Sequence, residues 1–501
     1  MEIQNNFIVM KFGGSSQCLQ GMNVICNKIK EHLSENNKVV LVISAVNKTT
    51  NNLYGILNFV DGSYEYIYSV HKELCESIGI DFCEIEHYLN MLKSDMIDYK
   101  TKPFIDIVQI KLKILSWGEI LSSKIVFSYL NKNNIDCQYL SAHSFIKNDN
   151  VSANIDRDTL NLKGEFYCEK NVLGNMLENS FNVFVTQGFI ATTADNKYCV
   201  LTRSGSNTSA SLIANAINAK RLEIFTDVSG IYSGDPRKIQ NTKIIPRAKY
   251  DVCLEASSMG TNLIHPFSIR PCSEKNIPIY IKNTFDQIAT GTVITNHVED
   301  NKTKYDESEI YLISVQDDVT IFKIYSLNMS EGYGFMADIF SVFKEEKIDV
   351  GIVTTSQFEI TTTTNEKNIN KLERTKQKLS EKYQVTIIYN CSTVSIIAEN
   401  VLHNKKIDTA KRLILKKKIK PIYMSVPSSN NLTWSFVVDK TKSIQIANIL
   451  HQLLIENKYY QSNRLKKIKY IKYLKNISNI SNISIGNKFP LKLQKKRKFV
   501  E

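Results

Sequence analysis

The stretch Phe7-Ile-Val-Met-Lys-Phe-Gly-Gly-Ser-Ser16 predicts a strand, a tight turn and the start of a helix. Glycine lets the backbone approach a phosphate closely, and the free N–H groups at a helix start favour anions. Lys11 adds a positive charge at the same place. The stretch therefore fits a phosphate-binding turn, but it fits an ordinary strand-to-helix turn with a surface lysine equally well. The rest of the chain has to decide between these two interpretations.

The basic character of the chain is concentrated at its C-terminal end. The 501 residues are 43% apolar and 23% charged, as in an ordinary soluble protein of two to four domains, and their net charge is +13. The segment Lys458–Glu501 holds thirteen Lys and Arg and one acid, which leaves 50 basic and 49 acidic residues in the rest of the chain. The body is therefore nearly neutral, and its composition does not indicate a nucleic-acid-binding protein.

The cysteines predict a reducing compartment. The ten cysteines form no Cys-x-x-Cys pair, and the eight histidines have no metal-like spacing with them. The N-terminus lacks the basic-then-apolar pattern of a secretory signal, and no apolar run approaches the roughly 20 residues of a membrane span. We therefore expect a cytoplasmic protein without a membrane partner.

Residues 1–300 are predicted to form one α/β domain around an open, mostly parallel sheet. Residues 7–12 and 39–44 are continuous apolar runs, typical of buried parallel strands, and a helical pattern over 18–34 lies between them. Apolar residues then recur at helical spacing between residues 53 and 130. Further predicted elements are strands at 183–188, 221–227 and 277–281 and a helix at 209–219.

After a polar linker at 299–307, the pattern changes to two small α+β modules. Residues 308–384 and 385–456 each show the order β-α-β-β-α, which suggests a tandem pair. The last segment, 457–501, is predicted to be disordered, or at most to form a short helix at 465–474. The predicted strands are 319–325, 350–355, 358–363, one beginning at 385, 421–425 and 433–438, and the predicted helices are 335–347, 369–382, 405–416 and 443–456.

Polar side chains follow several predicted strands of the α/β domain, where open sheets bind ligands. Ser44-Ala-Val-Asn-Lys-Thr-Thr-Asn51 can hold a small polar substrate, and Glu119 of Ser116-Trp-Gly-Glu-Ile120 can receive an ammonium group. Each of these two, taken alone, is better explained as a turn-rich loop or a solvated helix face.

Two further loops point more strongly to anionic ligands. Leu201-Thr-Arg-Ser-Gly-Ser-Asn-Thr-Ser-Ala210 is a hydroxyl-rich helix start in which Arg203 can make a bidentate bond to a carboxylate. Thr226-Asp-Val-Ser-Gly-Ile-Tyr-Ser-Gly-Asp-Pro-Arg237 places many polar groups after a buried strand. Its aspartate and tyrosine can line a nucleoside pocket, and Arg237 can reach phosphates.

These motifs occur in the order seen in aspartate kinases, which the chain resembles over about residues 5–456. The resemblance implies an amino-acid-kinase fold followed by two ferredoxin-like ACT modules, the first similar to the lysine-sensitive kind. It is carried by Lys11-Phe-Gly-Gly-Ser-Ser16, the Ser44–Asn51 loop, Trp117-Gly-Glu119, Thr186-Gln-Gly-Phe189, Arg203-Ser-Gly-Ser206, Thr226–Tyr232, Asp235-Pro-Arg237, His265-Pro266, Ser326-Leu-Asn-Met329, Gly334-Phe335 and Thr354-Thr-Ser356.

The resemblance implies transfer of the γ-phosphoryl group of ATP to the β-carboxylate of L-aspartate. Lys11, with the turn Gly13, Gly14 and Ser15, would neutralise the transferred group, and Mg²⁺ would lie on the phosphates without side-chain ligands. An amino-acid effector, lysine above all, and a homodimer or higher homo-oligomer through the ACT modules are also implied. The implied aspartate residues are Ser44, Thr50, Glu119 and Arg203; the implied ATP residues are Lys11, Thr226, Asp227, Tyr232, Arg237, Asn262 and Leu263; the implied effector residues are Met329, Gly334, Phe335, Met336, Val350 and Ser356.

The chain departs from the family pattern at three places. Asn207 stands where the family usually has an acid in its glycine-rich loop, and Asn262 stands where the family has a lysine on the nucleotide side. In the regulatory half, Gly351 and Gln357 stand where acids are common, so we expect lysine inhibition to be weak or altered.

Two other interpretations remain open. Gly332-Tyr-Gly-Phe-Met-Ala337 matches a dinucleotide fingerprint, but it is better explained as the effector loop of an ACT module. The substitutions at Asn207 and Asn262 also leave open a catalytically impaired homologue that senses amino acids or acts as a scaffold. The basic tail could bind nucleic acid or an anionic membrane face, but it is better explained as a solvated appendage.

Overall fold

The computed structural model describes most of the chain up to residue 456. The described ranges are 6–101, 106–156, 159–201, 204–260, 264–296, 309–327, 333–416, 421–424 and 431–456. The predicted linker at 299–307 and the predicted tail helix at 465–474 lie outside these ranges.

An eight-stranded sheet forms the centre of the N-terminal half. Every neighbouring pair is parallel except β11 with β12. Its strands, in spatial order, are β10 Arg247–Ala248, β12 Thr292–Ile294, β11 Ile279–Asn283, β9 Arg221–Thr226, β1 Phe7–Phe12, β2 Lys38–Ile43, β6 Val183–Gln187 and β3 Gln138–Leu140.

The sheet is buried because its central strands are continuous apolar runs. Ile8, Val9 and Met10 are fully buried, and helices packing on the sheet cover them. A second sheet of four short strands has the order β5-β4-β7-β8, at Phe166–Cys168, Ile146–Asn148, Ile190–Thr192 and Tyr198–Val200. The helices of this half are α1 Leu19–Ser34, α2 Thr49–Leu57, α3 Ser63–Ile78, α4 Cys83–Thr101, α5 Ile107–Lys132, α6 Lys170–Leu177, α7 Gly205–Ala216, α8 Tyr250–Ser258 and α9 Pro266–Glu274.

One antiparallel sheet of six strands runs through the C-terminal half. Its order is β14-β15-β13-β16-β18-β17, at Val353–Thr355, Glu359–Thr364, Ile310–Tyr325, Gln384–Ala398, Thr433–Asp439 and Tyr423–Met424. Its helices are α10 Phe335–Glu345, α11 Ile369–Ser380, α12 Lys405–Lys416 and α13 Lys440–His451, and a π-turn at Gln452–Glu456 follows α13. The predicted class, an α/β domain followed by α+β modules, is confirmed.

The largest difference from the sequence prediction is the start of β13. The strand begins at Ile310 rather than at the predicted Val319. The strand passes Asp317 and Asp318 with a register shift between Gln316 and Val319. Asp318 takes φ +60°, so it lies in a β-bulge instead of ending the strand.

Smaller differences concern the ends of elements. Helix α7 begins at Gly205, four residues before the predicted start, because Ser204 takes a left-handed conformation (φ +58°) that turns the chain into the helix. Strand β11 begins at Ile279 rather than residue 277, and β14 begins at Val353 rather than residue 350. The helix predicted over 443–456 is α13 followed by the π-turn.

The two cores of the C-terminal half interleave along the chain. The second half of β13, with Phe322, packs on α10 through Phe343, whereas its first half, with Ile313, packs on α13 through Ile446. The predicted boundary between residues 384 and 385 falls at the start of β16, which contributes to both cores. The long strands therefore join the modules into one sheet rather than separating them at that position.

None of the helices within the described ranges is long and apolar enough to span a bilayer.

Candidate active site

Lys11 lies near the carboxyl end of β1 and is almost completely buried. Its side chain is 9% exposed, and its Nζ lies 3.5 Å from the point where a Cβ on Gly13 would stand. Burial lowers the pKa of Lys11 to about 8, while Glu119 and Asp227 favour its charged form. The structure thus brings together three of the predicted site residues at the edge of the sheet.

The glycine turn after β1 is shaped by close contact with the loop after β2. A Cβ on Gly14 would stand 2.2 Å from the Ala45 carbonyl oxygen, so only glycine fits there without a shift. The Asn47 amide also donates to the Gly14 carbonyl at 3.4 Å. The two loops are therefore held together at Gly14.

Not every backbone N–H of the glycine turn after β1 is available to a phosphate, contrary to the expectation from the sequence. The Gly13 N–H was expected to face a phosphate, but it donates to the Phe225 carbonyl at 3.2 Å. The pairing of β1 with β9 brings that carbonyl within reach, which local sequence does not reveal. Within the described residues the N–H groups of Gly14 and Ser15 have no hydrogen-bond partner, and Ser15 is exposed.

Glu119, in the middle of α5, is a buried carboxylate with one oxygen unpaired. Its Oε1 accepts the Ala45 N–H at 3.3 Å, and within the described residues its buried Oε2 has no hydrogen-bond partner. Burial raises the pKa of Glu119 to about 8, although the Ala45 amide and Lys11 both oppose the shift. An unpaired buried acceptor is costly unless a ligand supplies a donor.

The predicted aspartate residues are arranged around the loop between β2 and α2. Ser44 begins this loop, and its carbonyl accepts the Ser122 hydroxyl at 2.7 Å. Thr50 is half-buried in the first turn of α2, next to Thr49. A Cβ on Gly118 would lie 2.9 Å from the Ala45 Cβ and 3.5 Å from the Thr49 Cγ2, so glycine allows α5 to approach this loop. Arg203 lies outside the described residues.

The predicted nucleotide residues follow β9. Thr226 ends the strand, its hydroxyl donates to the Asp227 carboxylate at 3.1 Å, and Tyr232 is half-buried and bridges to Ile244. Asn262 and Leu263 lie outside the described residues.

Arg237 bonds within its own turn. Its guanidinium donates to both oxygens of Asp235 at 3.0 and 2.9 Å, and its side chain is 78% exposed. Its predicted contact with phosphates stays a prediction.

Two residues that the sequence interpretation did not select connect the predicted loops. The Thr284 N–H donates to the Thr226 carbonyl at 2.8 Å, and its hydroxyl bonds the buried Ser16 hydroxyl at 2.6 Å. Asn283 donates to the Ser229 hydroxyl at 2.9 Å. Asn283 ends strand β11 and Thr284 follows it, so the rule that selected the other loops, polar residues where a buried strand ends, could have found them.

Asp95 is a third residue near the site that the sequence interpretation did not select. It accepts Trp117 Nε1 and Lys113 Nζ, each at 2.7 Å, and so ties α4 to α5 two residues before Glu119. It stands inside a helix, where no sequence signal distinguishes it.

The predicted effector residues lie at the edges of the first module's core. Gly334 takes φ +88° and precedes α10, and Phe335 and Val350 pack against one core. Met336 is 42% exposed, and the Ser356 hydroxyl accepts the Glu359 N–H at 3.0 Å. Met329 lies outside the described residues.

Within the described residues, no cluster of three or more His, Cys, Asp or Glu could hold a metal ion.

Comparison with known proteins identifies the family. The sequence profile of the amino acid kinase family matches residues 6–283, which is more than half of the 501-residue chain. This chain belongs to the amino acid kinase family.

Among relatives of this amino acid kinase, the chloroplastic Aspartokinase 2 of Arabidopsis thaliana is 25% identical over 480 residues, covering 89% of the chain and 84% of the relative. Lysine-sensitive aspartokinase 3 of Escherichia coli is 24% identical over 365 residues, covering 72% and 78%. The chloroplastic bifunctional aspartokinase/homoserine dehydrogenase 2 of A. thaliana is 26% identical over 423 residues; the match covers 78% of the chain but only 44% of that longer protein. The expected resemblance to aspartokinases is confirmed.

A solved structure shares the fold of this kinase family member. E. coli aspartokinase III in complex with aspartate and ADP superposes with a TM-score of 0.72 at 21% identity, covering 89% of the chain and 99% of the other.

Proposed function

We propose that this chain is an aspartate kinase that converts ATP and L-aspartate to ADP and 4-phospho-L-aspartate, the first step toward lysine, threonine and methionine. The observation that carries the proposal is the buried Glu119 carboxylate, which interacts with Lys11 and has one oxygen without a hydrogen-bond partner among the described residues. An ammonium group from the substrate fits the unpaired oxygen, and a phosphate fits the buried cation.

The reaction brings a carboxylate to a polyphosphate, so repulsion between anions is the main barrier. A β-carboxylate oxygen attacks the γ-phosphorus, a new P–O bond forms, and the bond to the β,γ-bridging oxygen breaks and releases ADP. Lys11 and the N–H groups of Gly14 and Ser15, which have no partner in the part of the chain that the structure describes, are suited to offset the charge of the transferred group. Catalysis would then be mostly positioning and charge neutralisation.

The aspartate side is assigned by charge. Glu119 would take the substrate ammonium, and Ser44, Thr50 and Arg203 would hold its polar groups. Burial of Glu119 excludes water from this contact, which strengthens it.

The nucleotide side is assigned to the loop after β9, with Thr226, Asp227, Tyr232 and Arg237, and to Asn262 and Leu263. Magnesium would arrive on the phosphate oxygens of ATP, because the described residues offer no cluster of metal ligands.

Regulation and assembly belong to the same proposal. The lysine sensitivity stated for the E. coli relative supports an amino-acid effector, lysine first, at the first module. Homo-oligomers through the C-terminal sheet and a cytoplasmic location stay predictions.

The first test is ADP release from ATP, Mg²⁺ and L-aspartate in a coupled assay. Lys11→Ala should lower kcat by at least about a hundredfold, because it removes the buried cation. Lys30→Ala, which removes an exposed lysine on α1, is the matched control and should turn over normally. Wild-type turnover equal to that of Lys11→Ala would contradict the proposal.

That outcome would favour the second candidate, a catalytically impaired sensor or scaffold. Asn207 favours it, because an amide stands there where the family resemblance implies an acid. Amino-acid binding without turnover would identify this function.

A further inference from the structure

The segment after the predicted nucleotide residue Tyr232 is built into the core of the second C-terminal module. Ile239 is 2% exposed and belongs to the same apolar cluster as Ile313 of β13 and Leu450 of α13. A Cβ on Gly234 would stand 3.2 Å from the Ile313 carbonyl oxygen, so the segment runs close against β13. The loop that follows β9, residues 227–240, is called the nucleotide loop below. It is therefore anchored to β13 and α13 of the C-terminal half as well as to its own sheet.

Ser233, directly after Tyr232, makes the central polar contact of this anchor. Its carbonyl accepts the Ile313 N–H at 3.0 Å, and its hydroxyl oxygen accepts the Lys243 N–H at 2.9 Å. The same oxygen lies 2.8 Å from Nε2 of His451. Since the hydroxyl oxygen already accepts one bond, its O–H can donate to the imidazole.

His451 is the last residue of α13 and is fully buried. Its Nδ1 lies 3.2 Å from the Glu456 carboxylate, and burial lowers the pKa of His451. A neutral ring that donates from Nδ1 to Glu456 and accepts at Nε2 from Ser233 satisfies every one of these atoms.

Two further contacts fix the segment to the same module. Asn448 of α13 accepts the Gln240 N–H at 2.9 Å and donates to the Lys238 carbonyl at 3.2 Å. The Lys238 ammonium bonds Asp317 of β13 at 2.6 Å. Residues 233–240 are therefore held by contacts to both α13 and β13.

We infer that the Ser233–His451 hydrogen bond is a positioning contact through which α13 holds the nucleotide loop in its binding conformation. This rests on the proposed function for the placing of the nucleotide near Tyr232. Neither residue touches the reacting atoms. Their loss should weaken nucleotide binding and leave the aspartate pocket, built on α5 and the loop after β2, unchanged.

The test measures the Kd for MgADP by calorimetry, and KM for ATP and for aspartate, in full-length variants. Ser233→Ala and His451→Leu should each raise the Kd for MgADP and the KM for ATP about fivefold, the equivalent of one hydrogen bond. The effects of the two substitutions should add less than fully in the double variant, because both remove the Ser233–His451 hydrogen bond, and each also removes one bond of its own, from Lys243 to Ser233 or between His451 and Glu456. His451→Gln keeps an acceptor and should bind MgADP like the wild type.

Thr375→Val is the matched control, since it removes a buried hydroxyl in α11 of the first module. Equal increases in both KM values, an unchanged Kd for MgADP in folded Ser233→Ala, or failure of His451→Gln to restore binding would overturn the inference. MgADP binding does not depend on the acceptor. A wild type that binds MgADP but does not phosphorylate aspartate would therefore contradict only the proposed function.

Discussion

Lys11 is a base and Glu119 is an acid, and burial shifts the pKa of each in the direction that favours its neutral form. The pKa of Lys11 falls to about 8 and that of Glu119 rises to about 8. Each favours the charge of the other, but burial dominates both shifts. A site built in this way is poorly solvated before substrate arrives, and a charged ligand restores the ionised forms.

The raised pKa of Glu119 predicts that aspartate binding releases a proton. Below pH 8 the free carboxyl is protonated, and it must ionise to bind an ammonium group. The affinity for L-aspartate without nucleotide should therefore rise with pH up to about 8, by up to about tenfold per pH unit. Calorimetry at pH 7 in buffers of different ionisation enthalpy measures the released proton.

Glu119→Gln supplies the control for this prediction. Glutamine cannot ionise, so the variant should bind aspartate more weakly, without proton release and without this dependence on pH. Proton release that persists in Glu119→Gln would show that another group titrates.

At the scale of elements, the site depends on how the loops after β1 and β2 meet. The glycine doublet looks uniform in sequence, but its two members have different surroundings. Around Gly13 a Cβ would find ordinary contacts of 3.5 Å or more, whereas at Gly14 it would meet the Ala45 carbonyl at 2.2 Å.

This difference predicts distinct effects of two alanine substitutions. Gly13→Ala should fold with a Tm close to that of the wild type but lose activity, because its methyl group lies beside the Lys11 ammonium. Gly14→Ala should lower the Tm by several degrees as well, since a loop must move, at a cost of about 1–3 kcal/mol. Thermal unfolding and ADP release measure the two effects, and equal Tm values for the two variants would refute the steric explanation.

At the scale of the whole molecule, the six-stranded sheet connects two cores with different neighbours. The core around Phe436 shares Ile239 with the nucleotide loop, whereas the core around Phe343 does not include that loop. Substitutions that destabilise the two cores equally should therefore differ in their effect on nucleotide binding.

Phe436→Leu and Phe343→Leu test this difference. Each replaces a buried phenylalanine and should lower the free energy of unfolding by about 1–2 kcal/mol. Only Phe436→Leu should also raise the Kd for MgADP. Denaturant unfolding and MgADP titration measure the two quantities, and the same Kd in both variants would argue against a coupling of the second core to nucleotide binding.

The accuracy of the sequence interpretation varied with how local the signal was. Both ends of strand β1 were predicted correctly, because a continuous apolar run indicates a strand that is buried on both faces. The start of β13 was missed because an aspartate such as Asp318 occurs both in a β-bulge and at the end of a strand. Only the pairing with β16 shows that Asp318 lies in a bulge. Ser44 and Thr226 were selected because parallel strands place the loops that follow them at one edge of the sheet, and their roles stay predictions, whereas Asp95 had no such signal.

The sequence by itself determined central strands such as β1 and β6, the order of the polar loops and the family resemblance, because these depend on periodicity and on residues close together in the chain. Only the tertiary structure decided that the Gly13 N–H bonds the Phe225 carbonyl and that one Glu119 oxygen has no hydrogen-bond partner within the described ranges. It also decided that Ser233 meets His451, 218 residues away. Burial and long-range hydrogen bonds arise from packing between distant segments, and no local pattern records which distant segment will be the neighbour.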